Sequence, residues 1–341
     1  MRKGYAMRRH AVVLALICVP LVAGAQFSRV GTSAAQFVKF PAHPRTAALG
    51  GASAAAYGDV ESMFWNPAGI AAIQGVAATF SHASLFAGIS YNFAGATVDL
   101  GSSHNLGIQA FYLDSGEMEQ TTIQDPEGTG AFFRVRNYAF AVTYAQYVTE
   151  WLMAGVSVRY IREDLWNETA QSVGVDIGSV LETGFYGLRL GISIVNFGPD
   201  MQLSGEDLKF NYETDRVTIE RGAALATEPW PLPLTFRLGI ALDLVGGSNT
   251  IIESYAHTVT ALADYNEPND AGPRSNFGLE YSWDRTVYAR LGYYENYDGP
   301  RFSYGLGVAL GSSPVRVAVD YALVDYRALG YIHQYSIGVY F

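Results

Sequence analysis

Beyond residue 75 the chain alternates apolar and polar positions with a period of two. Phe277, Leu279, Tyr281 and Trp283 alternate with Gly278, Glu280, Ser282 and Asp284. Leu234, Phe236, Leu238, Ile240 and Leu242 do the same against Thr235, Arg237, Gly239, Ala241 and Asp243. Leu188 to Ile194 and Val315 to Tyr321 repeat it. Period two puts successive side chains on opposite faces of a strand, so each segment presents one face to an apolar medium and one to charge or water. About fourteen such segments are predicted, near 76–84, 87–99, 103–114, 131–148, 151–164, 170–182, 185–197, 232–245, 250–265, 274–284, 286–296, 301–311, 314–326 and 330–341.

A soluble sandwich also alternates. Three features favour a membrane barrel. The segments are long, about 10–12 residues, enough for a tilted crossing of the bilayer. Their polar faces mix Arg, Asp, Glu, Ser and Gly as a wet lumen would. Many apolar faces carry aromatics, and Tyr91, Phe93, Tyr144, Tyr160, Tyr281, Trp283 and Tyr293 are candidates for interfacial girdles. The predicted fold is all-β: a transmembrane antiparallel β-barrel of about 14 strands over residues 76–341. Tight turns at Gly311-Ser312-Ser313-Pro314 and Asp284-Arg285 fall on the periplasmic side, and longer links at 114–131, 264–274 and 295–301 outside. The stretch 198–231 does not alternate and reads as a long external loop or a segment folded into the lumen.

The first 25 residues read as an export signal: Arg2, Lys3, Arg8 and Arg9, then an apolar run from Ala11 to Val22, then Ala23-Gly24-Ala25 before Gln26. Cys18 lies inside it, behind Ile17 rather than a small residue, so no lipid attachment is expected and the exported chain has no thiol. The whole chain carries a net charge of -10; without the four basic leader residues it has 18 basic residues against 32 acidic. That balance argues against nucleic-acid partners. No run of about 18 apolar residues follows, so no membrane-spanning helix is predicted. The expected location is the outer membrane. The expected partners are its lipid and the barrel assembly machinery, which would read the alternating last strand Tyr335, Ile337, Val339 and Phe341.

Residues 26–75 behave differently. Alternation fails and Ala and Gly are dense, as in Arg45-Thr46-Ala47-Ala48-Leu49-Gly50-Gly51-Ala52 and Trp65-Asn66-Pro67-Ala68-Gly69. Short helices and turns are expected. Asp59 or Ser62 would cap one, and Asn66 would cap the turn that Pro67 begins. A compact small-residue segment ahead of a barrel reads as a hatch in its bore. Trp65 reads as a packing anchor. Arg45, a charge within the bore, needs a carboxylate such as Asp320, Asp243 or Glu280.

The spacing of Arg45, Ala47, Ala48, Gly50, Gly51 and Ala52 ahead of Trp65, Asn66, Pro67, Ala68 and Gly69 resembles the PorV/PorQ family, itself similar to the FadL-type outer-membrane transporters. The resemblance implies a fourteen-stranded barrel with an N-terminal hatch, and two activities. PorV/PorQ-like proteins serve type IX secretion, binding or shuttling cargo or joining its translocon. FadL-like proteins pass hydrophobic small molecules. Greasy inner faces on the first strands would favour transport, and polar ones secretion. The C-terminal inner faces, with Glu280, Asp284, Arg290, Arg316 and Asp320, are polar, which favours secretion.

Enzyme chemistry finds no anchor. The mature histidines His43, His82, His104, His257 and His333 form no metal-binding spacing, and no Gly-x-Ser-x-Gly elbow occurs. Ser81-His82 and Ser103-His104 are adjacent, which on a strand means opposite faces. Asp264, Asn266, Glu267, Asn269 and Asp270 supply oxygen ligands at a density that suits Ca²⁺ but not at EF-hand spacing, and read as a solvated external loop. No cofactor is expected. Gly305 and Gly307 read as places where the wall bends or the hatch approaches.

Overall fold

A computed structural model describes residues 30–211, 222–312 and 314–341. The export signal expected at residues 1–25 lies outside them. Fourteen long strands close an antiparallel barrel. They are β1 (Val76–Ser84), β2 (Ser90–Asp99), β3 (His104–Asp114), β4 (Val135–Thr149), β5 (Leu152–Leu165), β6 (Glu168–Glu182) and β7 (Arg189–Phe197). The others are β8 (Thr235–Gly246), β9 (His257–Pro268), β10 (Arg274–Trp283), β11 (Val287–Glu295), β12 (Phe302–Ser312), β13 (Val315–Asp325) and β14 (Tyr331–Tyr340). Each pairs with its neighbours in sequence, and β14 closes on β1 with Ile337 opposite Phe80. Every predicted segment is matched by one strand, because closure satisfies all backbone groups only if the alternating runs pair in order.

Outward rows are apolar and unprotected. Phe80, Ile108, Phe140, Val158, Ile192, Leu291, Leu306 and Ile337 are among the exposed side chains. A continuous belt of this kind is stable only against lipid. Connections at one end include the two-residue turn at 150–151 and the turn at 284–286, where Asp284 and Arg285 take positive φ. Those at the other include 115–134 and 198–234. By the usual rule the first end is periplasmic and the second extracellular.

Two expectations fail. Tyr91 and Phe93 point inward and are fully buried. On β2 the outward row is the small one, Ala94 and Ala96, so alternation was legible but its polarity was inverted. The acidic stretch 264–270 is not a solvated loop: β9 runs on to Pro268, and Asp264, Asn266 and Asp270 are buried. Asp270 accepts from Ser33 Oγ (2.6 Å), Gln36 Nε2 (2.6 Å) and Lys39 Nζ (2.8 Å to its other oxygen).

Candidate functional site

The segment from Ser33 to Ile73 folds into short pieces across the bore. Two are α-helical, α1 (Pro44–Ala48) and α2 (Ser62–Trp65); Gln36–Lys39 and Pro67–Ala72 are 3₁₀ turns. None is long enough to be stable alone, so the wall must hold them. It does so through hydrogen bonds to hatch backbone, which a buried segment without sheet pairing requires. Ser303 Oγ accepts from Gly50 N–H (3.1 Å) and donates to Ala48 O (3.0 Å). Asp264 Oδ2 accepts from the N–H groups of Ser53 (2.8 Å) and Ala54 (2.9 Å). Ser193 Oγ donates to Trp65 O (2.7 Å), Tyr294 OH to Ala47 O (3.0 Å), and Asn105 Nδ2 to Ile73 O (2.6 Å).

The motif residues hold this arrangement. Asn66 Oδ1 accepts from Ala68 N–H (3.1 Å), capping the turn begun by Pro67, as its sequence predicts. Its amide also donates to Ala54 O (2.6 Å) and Ser179 O (3.0 Å), joining two hatch pieces to β6. The expected cap by Asp59 or Ser62 fails: the N-cap of α2 is Glu61, with no side-chain cap bond, and Ser62 Oγ instead donates to Asp59 O (2.5 Å). Gly50 takes φ +67° with its α-carbon against β10 and β11. Trp65 packs edge-on against Phe64 (4.2 Å) and carries the Arg237 guanidinium on its face (3.8 Å).

Of the three carboxylates proposed for Arg45, Glu280 takes it in a two-point pair (2.9 Å for both contacts), and Asp59 of the hatch binds its third edge. Arg290 bridges Glu280 (2.6 Å) to Asp320 (2.5 Å), while Asp243 holds Arg189 (2.8 Å). Arg45→Met leaves Glu280 with Arg290 alone. The expected loss is about 1.5–3 kcal/mol of hatch anchoring, read as faster amide exchange across Thr46–Gly51 while the strands stay protected.

This network lines a polar cavity of about 690 Å³ on the periplasmic side of the hatch, bounded also by Arg285, Arg316 and Tyr340. At its edge, buried Glu61 and His43 approach each other (Oε1 to Nδ1 3.4 Å). Burial, with Asp59 adding to it, pushes the Glu61 carboxyl up to about 8; burial pulls the His43 imidazole down to about 4. Both are neutral between those values. The stability tied to Glu61 is complete below its ordinary value of 4.5 and lost as pH rises through about 8. That tied to His43 is present above its ordinary 6.5 and lost as pH falls through about 4. Between 4.5 and 6.5 the two slopes oppose. Hatch amide protection should therefore stay level there and fall toward pH 8.5. Glu61→Gln should remove the alkaline fall and unmask an acid fall that begins at 6.5 and runs to about 4.

The extracellular side is different. Phe64, Trp65, Phe37 and Val38 of the hatch pack with Tyr91, Phe93, Phe111 and Ile161 from the inner faces of β2, β3 and β5. Met201 and Leu232 roof this cluster from the 198–234 connection, which thus partly folds over the bore. A backbone hydrogen bond from Ala34 N–H to Pro231 O (3.0 Å) ties it to the hatch.

Beside the cluster the wall is irregular. Register shifts between Val175 and Ile177 of β6, where Asn196 of β7 takes φ +61° and bulges. Asp176 accepts the Asn196 N–H (2.6 Å) and the Arg159 guanidinium (2.7 Å), and Arg159 reaches back toward Asn196 Oδ1 (3.2 Å). Arg159 also lies over Phe64 (5.3 Å) and Phe111 (5.6 Å). Sequence reasoning missed Arg159, Asp176, Asn196 and Arg237. The available signal was a charged residue in the inner row among small or apolar neighbours.

No family model matches the chain, and no curated protein is similar to it in sequence. Solved structures share its fold. The toluene transporter TbuX of Ralstonia pickettii superposes with TM-score 0.55 at 13% identity, over 87% of this chain and 96% of that one. The toluene transporter TodX of Pseudomonas putida gives 0.55 at 12%, over 88% and 96%. A FadL homologue from Pseudomonas aeruginosa gives 0.54 at 11%, over 87% and 97%. The barrel described above thus shares the fold of these two toluene transporters and of the FadL homologue.

Proposed function

We propose that this chain carries hydrophobic small molecules across the outer membrane, without enzymatic chemistry, and that monoaromatic hydrocarbons are among its substrates. One observation carries the reading: the inner faces of the first strands are greasy where they meet the hatch. Tyr91, Phe93, Phe111 and Ile161 surround Phe64 and Trp65 in a buried aromatic cluster below the extracellular roof. A compound of similar chemistry gains apolar burial there by displacing part of that packing. Beyond the hatch it would meet the charged network of Arg45, Glu280, Arg290 and Asp320, where a hydrocarbon gains nothing. The wall irregularity at Asn196, bordering the cluster, offers the alternative of leaving sideways into lipid.

Of the polar residues that favour secretion, Glu280, Arg290, Arg316 and Asp320 line the periplasmic cavity, whereas the first strands meet the hatch through the aromatic cluster. The residues resembling PorV/PorQ, from Arg45 to Gly69, here tie the hatch to the wall, a task common to both readings. The support therefore lies with transport. Delivery to the membrane would use the barrel assembly machinery.

The test is uptake of radiolabelled toluene, a long-chain fatty acid and glucose by cells producing the protein in a host stripped of its own FadL-like barrels. Transport predicts toluene or fatty-acid uptake above the empty host with glucose unchanged. Unchanged uptake of both apolar compounds would contradict it, as would glucose uptake alone, which marks a water-filled pore.

A further inference from the structure

The outer wall of β1–β6 carries two features that the bore does not explain. Near its extracellular end, Arg136 of β4, Arg162 of β5 and Arg134 surround a pocket of about 450 Å³, walled by Phe133 stacked on Trp166 (5.1 Å, 11°). Below it lies an apolar groove of about 790 Å³. Outward alanines at 78, 94, 96 and 110 leave low ground beside Ile108 and Phe140.

The two are continuous. Arg136, Tyr138 and Phe140 follow one another along the outer row of β4, and Arg162, Tyr160 and Val158 along that of β5, with Tyr138 opposite Arg162 and Phe140 opposite Tyr160. Four residues at about 3.3 Å each set pocket and groove about 13 Å apart.

The hydrogen-bonding capacity left open in the pocket is mainly that of donors. Asp164 accepts from Arg162 Nε (2.7 Å) and Thr169 Oγ1 (3.1 Å), Asp114 from Tyr112 OH (2.5 Å) and Gly116 N–H (2.8 Å), and Glu117 from Arg134 (2.7 Å). Arg136 lies 3.7 Å from Asp114, beyond hydrogen-bond reach. Each guanidinium brings five N–H groups; Arg134 and Arg162 spend one apiece on a carboxylate and Arg136 none within hydrogen-bond reach. Arg134, Arg136 and Arg162 stand beside the carboxylates of Asp114, Glu117 and Asp164, and their remaining N–H donors above an apolar groove suit the phosphate of a lipid carrying acyl chains.

We infer that this wall face binds one membrane lipid of the extracellular leaflet through a phosphate monoester on Arg134, Arg136 and Arg162, with its acyl chains in the groove floored by Ala94 and Ala110. The site is separate from the bore and does not depend on which compound the bore carries.

The test is native mass spectrometry of the full chain, delipidated in neutral detergent, offered phosphatidic acid, phosphatidylcholine or inorganic phosphate. Retained phosphatidic acid with little phosphatidylcholine is expected. Arg136→Ala with Arg162→Ala should weaken retention about tenfold, and these outward side chains make no contact with the hatch. Ala94→Trp with Ala110→Trp, filling the groove, should weaken it too. Equal retention of the two lipids would overturn the phosphate site. Retention unmoved by both double variants would overturn the location. Complete displacement of the lipid by equimolar inorganic phosphate would overturn the role of the groove.

Discussion

Replacing Asp176 by Leu should cost about 3–5 kcal/mol of barrel stability, among the largest losses expected of any single change in this chain. Arg159 and Asp176 are almost completely buried, at 1% and 0% side-chain exposure. Removing the carboxylate strands a guanidinium between Phe64 and Phe111 with only Asn196 Oδ1 and Phe64 O within reach. It also takes the acceptor from the Asn196 N–H, which faces away from the sheet pairing because of the bulge. An uncompensated buried charge is worse than none. Arg159→Met combined with Asp176→Leu should therefore recover much of the loss. Urea titration of the four proteins folded in micelles measures this. Additive losses in the double variant would show that the pair is not a unit.

The second large effect concerns the hatch. A β-carbon on Gly191 of β7 would lie 2.0 Å from Ala54 O, and one on Gly292 of β11 2.0 Å from Gly50 N. Neither neighbour is a flexible side-chain end; both are backbone held by the wall. Gly191→Leu or Gly292→Val therefore cannot coexist with the hatch in place. The strain should reach or exceed the ~3 kcal/mol upper end for overpacked cores. The strands need not yield, because the clash is removed when the hatch shifts. The expected phenotype is a folded, heat-modifiable barrel whose residues 44–69 lose amide protection and which conducts ions in planar bilayers where the parent does not. A parent-like amide exchange pattern would mean the hatch does not lie against these glycines.

Much of this was legible in the sequence. Alternation located all fourteen strands because the bilayer and the bore impose opposite chemistry on alternate residues. The irregular, small-residue segment ahead of them predicted short helices and turns, and short helices and 3₁₀ turns are what the segment forms against the inner wall. Arg45 announced a carboxylate partner, and Glu280 was one of three possible. What alternation could not give was polarity where both faces are apolar or small. Tyr91 and Phe93 looked like girdle residues because the aromatic hatch surface that buries them is distant in sequence. Asp264 and Asp270 looked like loop carboxylates because the backbone N–H groups and the lysine they bind belong to residues 33–54. The buried trio Arg159, Asp176 and Asn196 comes from three strands, and only the register of β5, β6 and β7 with its bulge brings it together.

The account stands or falls on whether a hydrophobic compound occupies the aromatic cluster around Phe64. The most direct measurement is native mass spectrometry of the purified, full-length barrel incubated with toluene, a xylene and a long-chain fatty acid, for the parent and for Phe64→Asp. The account predicts one apolar molecule retained per barrel, and its loss on Phe64→Asp with the fold intact by heat-modifiability. Retention of none of the three by the parent, or equal retention by Phe64→Asp, would contradict it.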